Sequence, residues 1–445
     1  MKRTFLLIAG ALLMCVPTFA QEAQQKVDAE GLRKKIEKSD ATIANEKKAA
    51  SAANWIKRAD LMISAETAYT GNIYETMETN MALMILGQPE TQEQADVAGV
   101  RYLKMGYGPL SVYIGADQRV KGWEVAEPVY EGAVDKAIEA YNKAYELNPK
   151  MAKKTAEGFQ KVINAVQKDA SNYYFLRDFE NSAKSFEKAY EVSLMPAAGV
   201  SIDTLSIYNA GFTSYFASDF ERSVKDLLIA ESYGFYQGGE LYNVLYNSYR
   251  SLCGEDKEKL AGAKEFLLRG LKQFPGNSNI ITCLTDLYLA LGENPEAIVP
   301  LVKTAIESEP TNAMLWYGLG SVYKELKNYE EGMAAFEKVV ELDPTNSAAH
   351  YFIGYLYVLM GDAKNDEVNA MPWTGRESYD REYQKVLDLY AKSVAPFEKA
   401  YELNPSEIAF AEYLKVVTFK LRDLDPEYQA KYEKYNEIFK QMSGK

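Results

Sequence analysis

The stretch AMLWYGLGSVYKELKNYEEGMAAFEKVVELDPTN, Ala313 to Asn346, decides how this chain is read. Trp316, Leu319, Gly320 and Tyr323 recur at i, i+3, i+4 and i+7, which is one face of an α-helix. Asn328, with Glu331 three residues on, is a capping-box pattern that starts a second helix. Gly332, Phe336 and Val339 share a face of that helix. Asp343-Pro344 ends it, because proline cannot continue the hydrogen-bond ladder and restricts the residue before it. Two short helices, each apolar along one stripe, cannot bury both stripes as a lone hairpin. Neighbours of the same kind are required.

The stretch closely resembles a tetratricopeptide repeat (TPR). Trp316, Leu319, Gly320 and Tyr323 fill the first-helix slots, Gly332, Phe336 and Val339 the second-helix slots, and Pro344 the closing proline. The same pattern returns along the chain. Tyr208, Gly211, Phe212 and Tyr215 precede Ser223, Leu227 and Ala230; Tyr242, Leu245, Tyr246 and Tyr249 precede Ala263, Leu267 and Gly270; Ile281, Leu284, Thr285 and Tyr288 precede Ile298, Val302 and Ala305. Pro275 to Pro310 is 35 residues and Pro310 to Pro344 is 34, the repeat period of this family. The resemblance implies an all-α TPR α-solenoid of helix hairpins, about seven units over residues 48–405.

The spacing fails in two places. Ala53 to Ala68 reads as a first helix, with Trp55, Ala59 and Met62 on one face, but its partner, AIEAYNKAYELNP, arrives only at Ala137. Residues 69–131 are therefore an insertion in a first repeat of 48–149, with a helix expected at Tyr74–Leu86 and a β-hairpin pairing Leu110–Ile114 with Arg119–Val125. This makes it a small α+β insertion. Ala152 to Phe175 reads as a helix without the Trp or Gly slots, followed by the second-helix signature SFEKAYEVS. Residues 150–346 form the central array. In the repeat of 347–405, Pro405 lies 61 residues after Pro344, so 361–387 is a second insertion. Residues 406–445 read as a C-terminal capping helix pair, which a solenoid needs to close its exposed end. Residues 21–47 read as an irregular polar arm with a helical stretch and a turn at Ser39-Asp40.

Residues 1–20 carry Lys2 and Arg3, an apolar run from Phe5 to Val16 and small residues before Gln21, the pattern of a secretory signal peptide cut after Ala20. Leu12-Leu13-Met14 lacks the small residue expected before a lipidated Cys15. No later run approaches the roughly 20 apolar residues of a membrane-spanning helix. The expected location is exported: periplasmic, at the cell surface or secreted. Cleavage leaves 48 basic and 63 acidic side chains, a net charge of −15, which argues against nucleic acid as a partner. By the repeat alignment Cys253 and Cys283 stand on adjacent helices offset by about 13 Å, too far for a disulfide. Two buried thiols are expected.

His350 is the one histidine, and it fills the slot that Trp316 fills in the previous repeat. No metal, nucleotide or nucleophile motif occurs. The expectation is a non-enzymatic scaffold with no cofactor and no metal site, binding a protein or extended peptide, in an envelope-assembly setting. The TPR resemblance places the binding groove on the residues just after the first-helix slots: Asn209, Asn243, Asn247, Arg250, Tyr317, Lys324, Tyr351 and Tyr355. The asparagine amides would both donate to and accept from an extended backbone. Trp373, in a Pro-Trp-Thr-Gly loop, is either a partner's anchor or a cover for the neighbouring helix. The 33 tyrosines raise a second reading, a glycan-binding surface protein using exposed aromatics and the insertions. A hydrolase hidden in 69–131 is a third.

Overall fold

The computed structural model describes residues 27–275 and 277–443, so the signal-peptide reading lies outside the described residues. The chain divides into two compact units, Met1–Phe235 and Tyr236–Lys445, and the break falls inside the expected central array.

The first unit begins with helix α1 (Ala29–Ile43), a single turn α2 (Glu46–Ala49) and α3 (Ala52–Glu66). Residues 21–47 are not an irregular arm throughout. The α1 helix runs through Ser39-Asp40 without a turn, buries Ile36, and pairs Asp40 with the buried Arg58 of α3. The partner of α3 is α5 (Ala133–Leu147), as the delayed motif required. Tyr141 of α5 is fully buried and donates to Asp60 of α3 at 2.7 Å. Helices α6 (Ala152–Phe175) with α7 (Phe179–Ser193), and α8 (Thr204–Phe216) with α9 (Phe220–Ser232), complete two further hairpins.

The insertion holds more strand than expected. Its helix α4 spans only Thr79–Leu86, and its sheet has four strands: β1 (Thr91–Val97), β2 (Val100–Tyr107), β3 (Leu110–Ile114) and β4 (Val120–Val125). They pair antiparallel in the order β1-β2-β3-β4. The expected β3–β4 hairpin is present, and β1 and β2 extend it. Met105, Val112, Ile114 and Val120 pack with Ile73, Met77 and Ala82 into a core of the insertion's own.

The second unit carries α10 (Glu240–Cys253), a turn α11 (Lys257–Leu260), α12 (Ala263–Gln273), α13 (Ser278–Leu291), α14 (Val299–Ser308), α15 (Ala313–Glu325) and α16 (Tyr329–Leu342). After these come α17 (Ser347–Ala370), α18 (Arg376–Leu403), α19 (Ile408–Leu421) and α20 (Pro426–Ser443). The residues 361–387 lengthen both helices of one repeat. Pro396 stands inside α18, where its missing N–H removes one bond of the helix ladder. The extension is tied down by Tyr390, which donates to Asp362 at 2.5 Å and accepts from Lys420 of α19 at 2.8 Å. Among the described residues no helix is long and apolar enough to cross a membrane.

Three hairpin turns repeat one device. Arg177, Ser218 and Lys327 have φ near +60°, and the next residue's N–H reaches back to the carbonyl of Tyr173, Ser214 or Tyr323 at 2.9 Å. This is a Schellman-type end. Asp178 and Asp219 then cap the following helix with their side chains at 3.2 Å. Asn328 occupies the same N-cap position but its side chain caps nothing, so the capping box with Glu331 is not formed.

Within the hairpins a glycine lets a ring lie on the opposite backbone. A Cβ on Gly320 would stand 2.9 Å from the Phe336 ring, and one on Gly354 2.9 Å from Phe397. Both rings are fully buried. Gly320→Val should therefore lower stability by about 1–3 kcal/mol through overpacking. Gly375→Ser, at an N-cap with open space around it, should leave stability within about 0.5 kcal/mol. Urea denaturation of the two variants checks both.

Candidate functional site

Helix α6 departs from the repeat pattern because its outer face clamps the inserted sheet. Lys168, Asn172 and Phe175 stand at i, i+4 and i+7. Lys168 Nζ donates to the carbonyls of Thr70 and Ile73, the latter at 2.6 Å, and lies 5.0 Å from the Trp123 ring centre. The Asn172 amide donates to Trp123 O and accepts from Trp123 N, both at 2.8 Å. It thus occupies the free edge of β4 as a further strand would. Phe175 presses onto Gly122 of β4 and meets the rings of Tyr102 and Tyr113 at 5.2 and 5.6 Å.

That clamp leaves a cleft of about 410 Å³ between the β1–β2 end of the sheet and the faces of α6 and α8. Val97, Val100 and Tyr102 form one wall; Tyr174, Phe175, Phe186 and Phe212 form the other. Glu75, Ser171, Arg177, Asn209 and Thr213 supply the polar groups. The Phe212 ring continues into Phe216 at 5.0 Å, and Phe216 is exposed. A mostly apolar hollow with a few convergent polar groups fits an apolar side chain with its adjoining peptide group.

Asn209 is thus the one expected groove residue that lines this cleft. The others lie in the second unit, and their side chains are engaged. Asn247 Nδ2 donates to Asn243 Oδ1 at 3.0 Å and to Asn243 O at 2.9 Å, and the Cys283 thiol donates to Asn243 Oδ1 at 3.6 Å. Arg250 pairs with Asp286, which also accepts from Tyr246 at 2.5 Å. Tyr317 packs on Phe336 and Phe352 at 5.4 and 5.7 Å, and Lys324 pairs with Glu325 at 2.8 Å. Tyr351 and Tyr355 stack at 6.0 Å and both meet Tyr413, at 5.5 and 5.4 Å. Trp373 is half-buried, donates to Val368 O at 2.7 Å and meets Tyr379 edge-on, so it covers the extended helices.

The single histidine is structural. His350 Nε2 is 3.1 Å from Pro344 O, matching Trp316 Nε1 to Pro310 O at 2.9 Å and Trp55 Nε1 to Ala49 O at 2.8 Å. Cys253 and Cys283 are free; Cys283 is buried, whereas Cys253 is half-exposed at the end of α10 and not buried as expected. Among the described residues no group of three or more His, Cys, Asp or Glu is placed to hold a metal ion.

A second hollow of about 410 Å³ holds a carboxyl pair that no motif marked: Glu66 at the end of α3 and Asp169 on α6. Burial, then the adjacent Glu66 carboxylate, pushes Asp169 up to about 8. Burial also raises Glu66, against the hydrogen bond that Asp169 gives it. At neutral pH the pair shares one proton. The folded chain holds a proton that the unfolded chain releases near its ordinary carboxyl value. The pair's contribution is therefore complete below about pH 4 and is lost as pH rises through about 8. Asp169→Asn should flatten the fall in thermal stability between pH 6 and pH 9 and raise the melting temperature at pH 9. Melting curves across that range check it.

A family model for the tetratricopeptide repeat matches residues 130–151 and 314–346. No curated protein matches the chain. Among solved structures, a TPR-repeat protein of Bacteroides fragilis is 15% identical, with 58% of this chain and 98% of that one covered and a TM-score of 0.26. A thermophilic TPR protein of Thermus thermophilus is 18% identical, with 44% and 98% covered and a TM-score of 0.29. An IFIT1 monomeric mutant with Gppp-AAAA is 14% identical, with 70% and 66% covered and a TM-score of 0.35. The matched segments are α5 with its flanks and the α15–α16 hairpin, so the chain carries tetratricopeptide repeats at these stretches.

Proposed function

We propose that this protein is an exported, non-enzymatic scaffold that holds a segment of a partner protein in the cleft beside α8. A TPR fold supports a protein-interaction role in general. The observation that carries the finer reading is the cleft itself, where Asn209 and Thr213 meet an apolar wall supplied by the insertion. Repeat surface and inserted sheet together make a hollow that the repeats alone do not supply. The amino-terminal pattern ending at Ala20 supports export, and an envelope-assembly setting follows from export combined with a scaffold. Glycan capture is the weaker reading. The two walls of the cleft are mainly phenylalanine and valine, which suit an apolar side chain better than a sugar's hydroxyl-covered faces.

Crosslinking and co-purification from envelopes of cells producing the full chain should recover a protein partner, and the recovered chain should begin at Gln21. Phe212→Ala should weaken the recovered complex by at least about tenfold, as loss of a central apolar anchor does. Asn243→Ala with Asn247→Ala should weaken it far less, because those amides bond one another. Strong binding to a saccharide array together with a Phe212→Ala complex of unchanged affinity would reverse the ranking.

A further inference from the structure

The inserted sheet has one closed edge and one open edge. The β4 edge is taken by the Asn172 amide, while no strand lies beyond β1 among the described residues. Ala98 and Gly99, at φ +54° and +81°, make a two-residue turn that pairs Val97 with Val100. Such a turn closes on a hydrogen-bonded pair, and antiparallel alternation then directs the N–H and C=O of Gln92, Gln94 and Asp96 away from β2. Exposed edges are usually shielded by proline, lysine or a covering loop. The β1 sequence, TQEQADV, has neither proline nor lysine, and its first four residues are exposed.

We propose that β1 accepts an extended segment of another protein as a fifth strand, with one apolar side chain of that segment entering the cleft. The proposal rests on the scaffold reading and specifies the form of its partner. Register fixes the details. Glu93, Ala95 and Val97 share the sheet face of Lys104, Tyr102 and Val100, and Val97, Val100 and Tyr102 wall the cleft. Ala95 is small, so an added side chain opposite it has room to lean over the hollow toward Phe212. Two residues along, it is Glu93 that faces the added strand. Lys104, across from Glu93, is held by Glu124 at 2.6 Å, and among the described residues no cation pairs with Glu93. Glu75 adds a second carboxylate at the cleft. The recognised segment is therefore extended and carries a basic and an apolar side chain two positions apart on one face.

A displayed library of random peptides, panned on the full mature chain, tests this. Enriched peptides should carry Lys or Arg two residues from a large apolar side chain. In a synthesised binder, N-methylating one alternating set of backbone amides should weaken binding by about tenfold or more, and methylating the other set by less than about twofold. Gln94→Pro removes an outward N–H and no β1–β2 bond, so it should fold and yet lose binding to a similar degree. Enriched peptides indifferent both to N-methylation and to Gln94→Pro would overturn strand docking; if Phe212→Ala still weakened them, the cleft reading would stand without it. A library that yields no binder overturns strand docking too, while co-purification judges the scaffold reading separately. A dimer of the free chain that Gln94→Pro dissolves would make a second copy the occupant and overturn the proposal.

Discussion

The close contact between an aromatic ring and a glycine backbone is what lets several helix pairs of this protein pack. Two helices joined by a tight turn leave a gap too shallow for a full ring unless one of them lacks a Cβ at the crossing. Phe336 on Gly320 and Phe397 on Gly354 meet that condition, and both rings reach complete burial, worth about 1.5–3 kcal/mol each. The extension of the late repeat reuses the device two turns along the same helix pair, with Tyr390 over Gly361. Between α5 and α6 the same contact is made by Tyr141 and Gly158, so Gly158 fills a packing role in a helix whose sequence shows no motif. Side-chain networks then settle on this frame: the Tyr390–Asp362–Lys420 cluster holds three helices only because the ring is already in place.

Much of this was legible from residues. The slots of Ala313–Asn346 found α15 and α16, and the late arrival of Ala137 and Tyr141 showed that α3 waits across an insertion for α5. Bounds of Ala152–Phe175 were readable as well, yet the reason for that helix's unusual face was not. Lys168, Asn172 and Phe175 are spaced like any helical stripe, and their partners lie on a loop and on strands 45 or more residues earlier. Strand β1 escaped because Thr91–Val97 is polar on both faces and shows no alternation, as befits an edge with nothing packed over most of it. The burial of Ile36 escaped because the polar composition of residues 21–47 hides a single apolar contact and an ion pair to Arg58.

The candidate site was half legible for a related reason. Family slots name positions on a helix, and they located Asn209 where the cleft lies. They do not say what those positions meet. Asn243 and Asn247, four residues apart on one helix, satisfy each other, and Arg250 finds Asp286 on the following first helix. The apolar wall at Val97, Val100 and Tyr102 comes from a hairpin that no repeat motif contains. Glu66 and Asp169 are separated by the whole insertion, and only folding makes them neighbours.

Placing a sheet between the two halves of a hairpin also has a consequence for how the chain reaches its fold. Elsewhere each first helix finds its partner after a short turn, so contacts are local and closure is inexpensive in entropy. The α3–α5 pair is different: the bond from Tyr141 to Asp60 joins residues 81 apart. Loop closure grows only slowly with length, but it does so for a flexible chain. If β1–β4 and α4 form first on their own core, the span becomes a compact plug whose ends already lie close. The first unit would then assemble in two stages, sheet before hairpin, and its contact order would set its rate. The amino-terminal unit would thus be the slower of the two to fold, because its central pairing waits on the sheet.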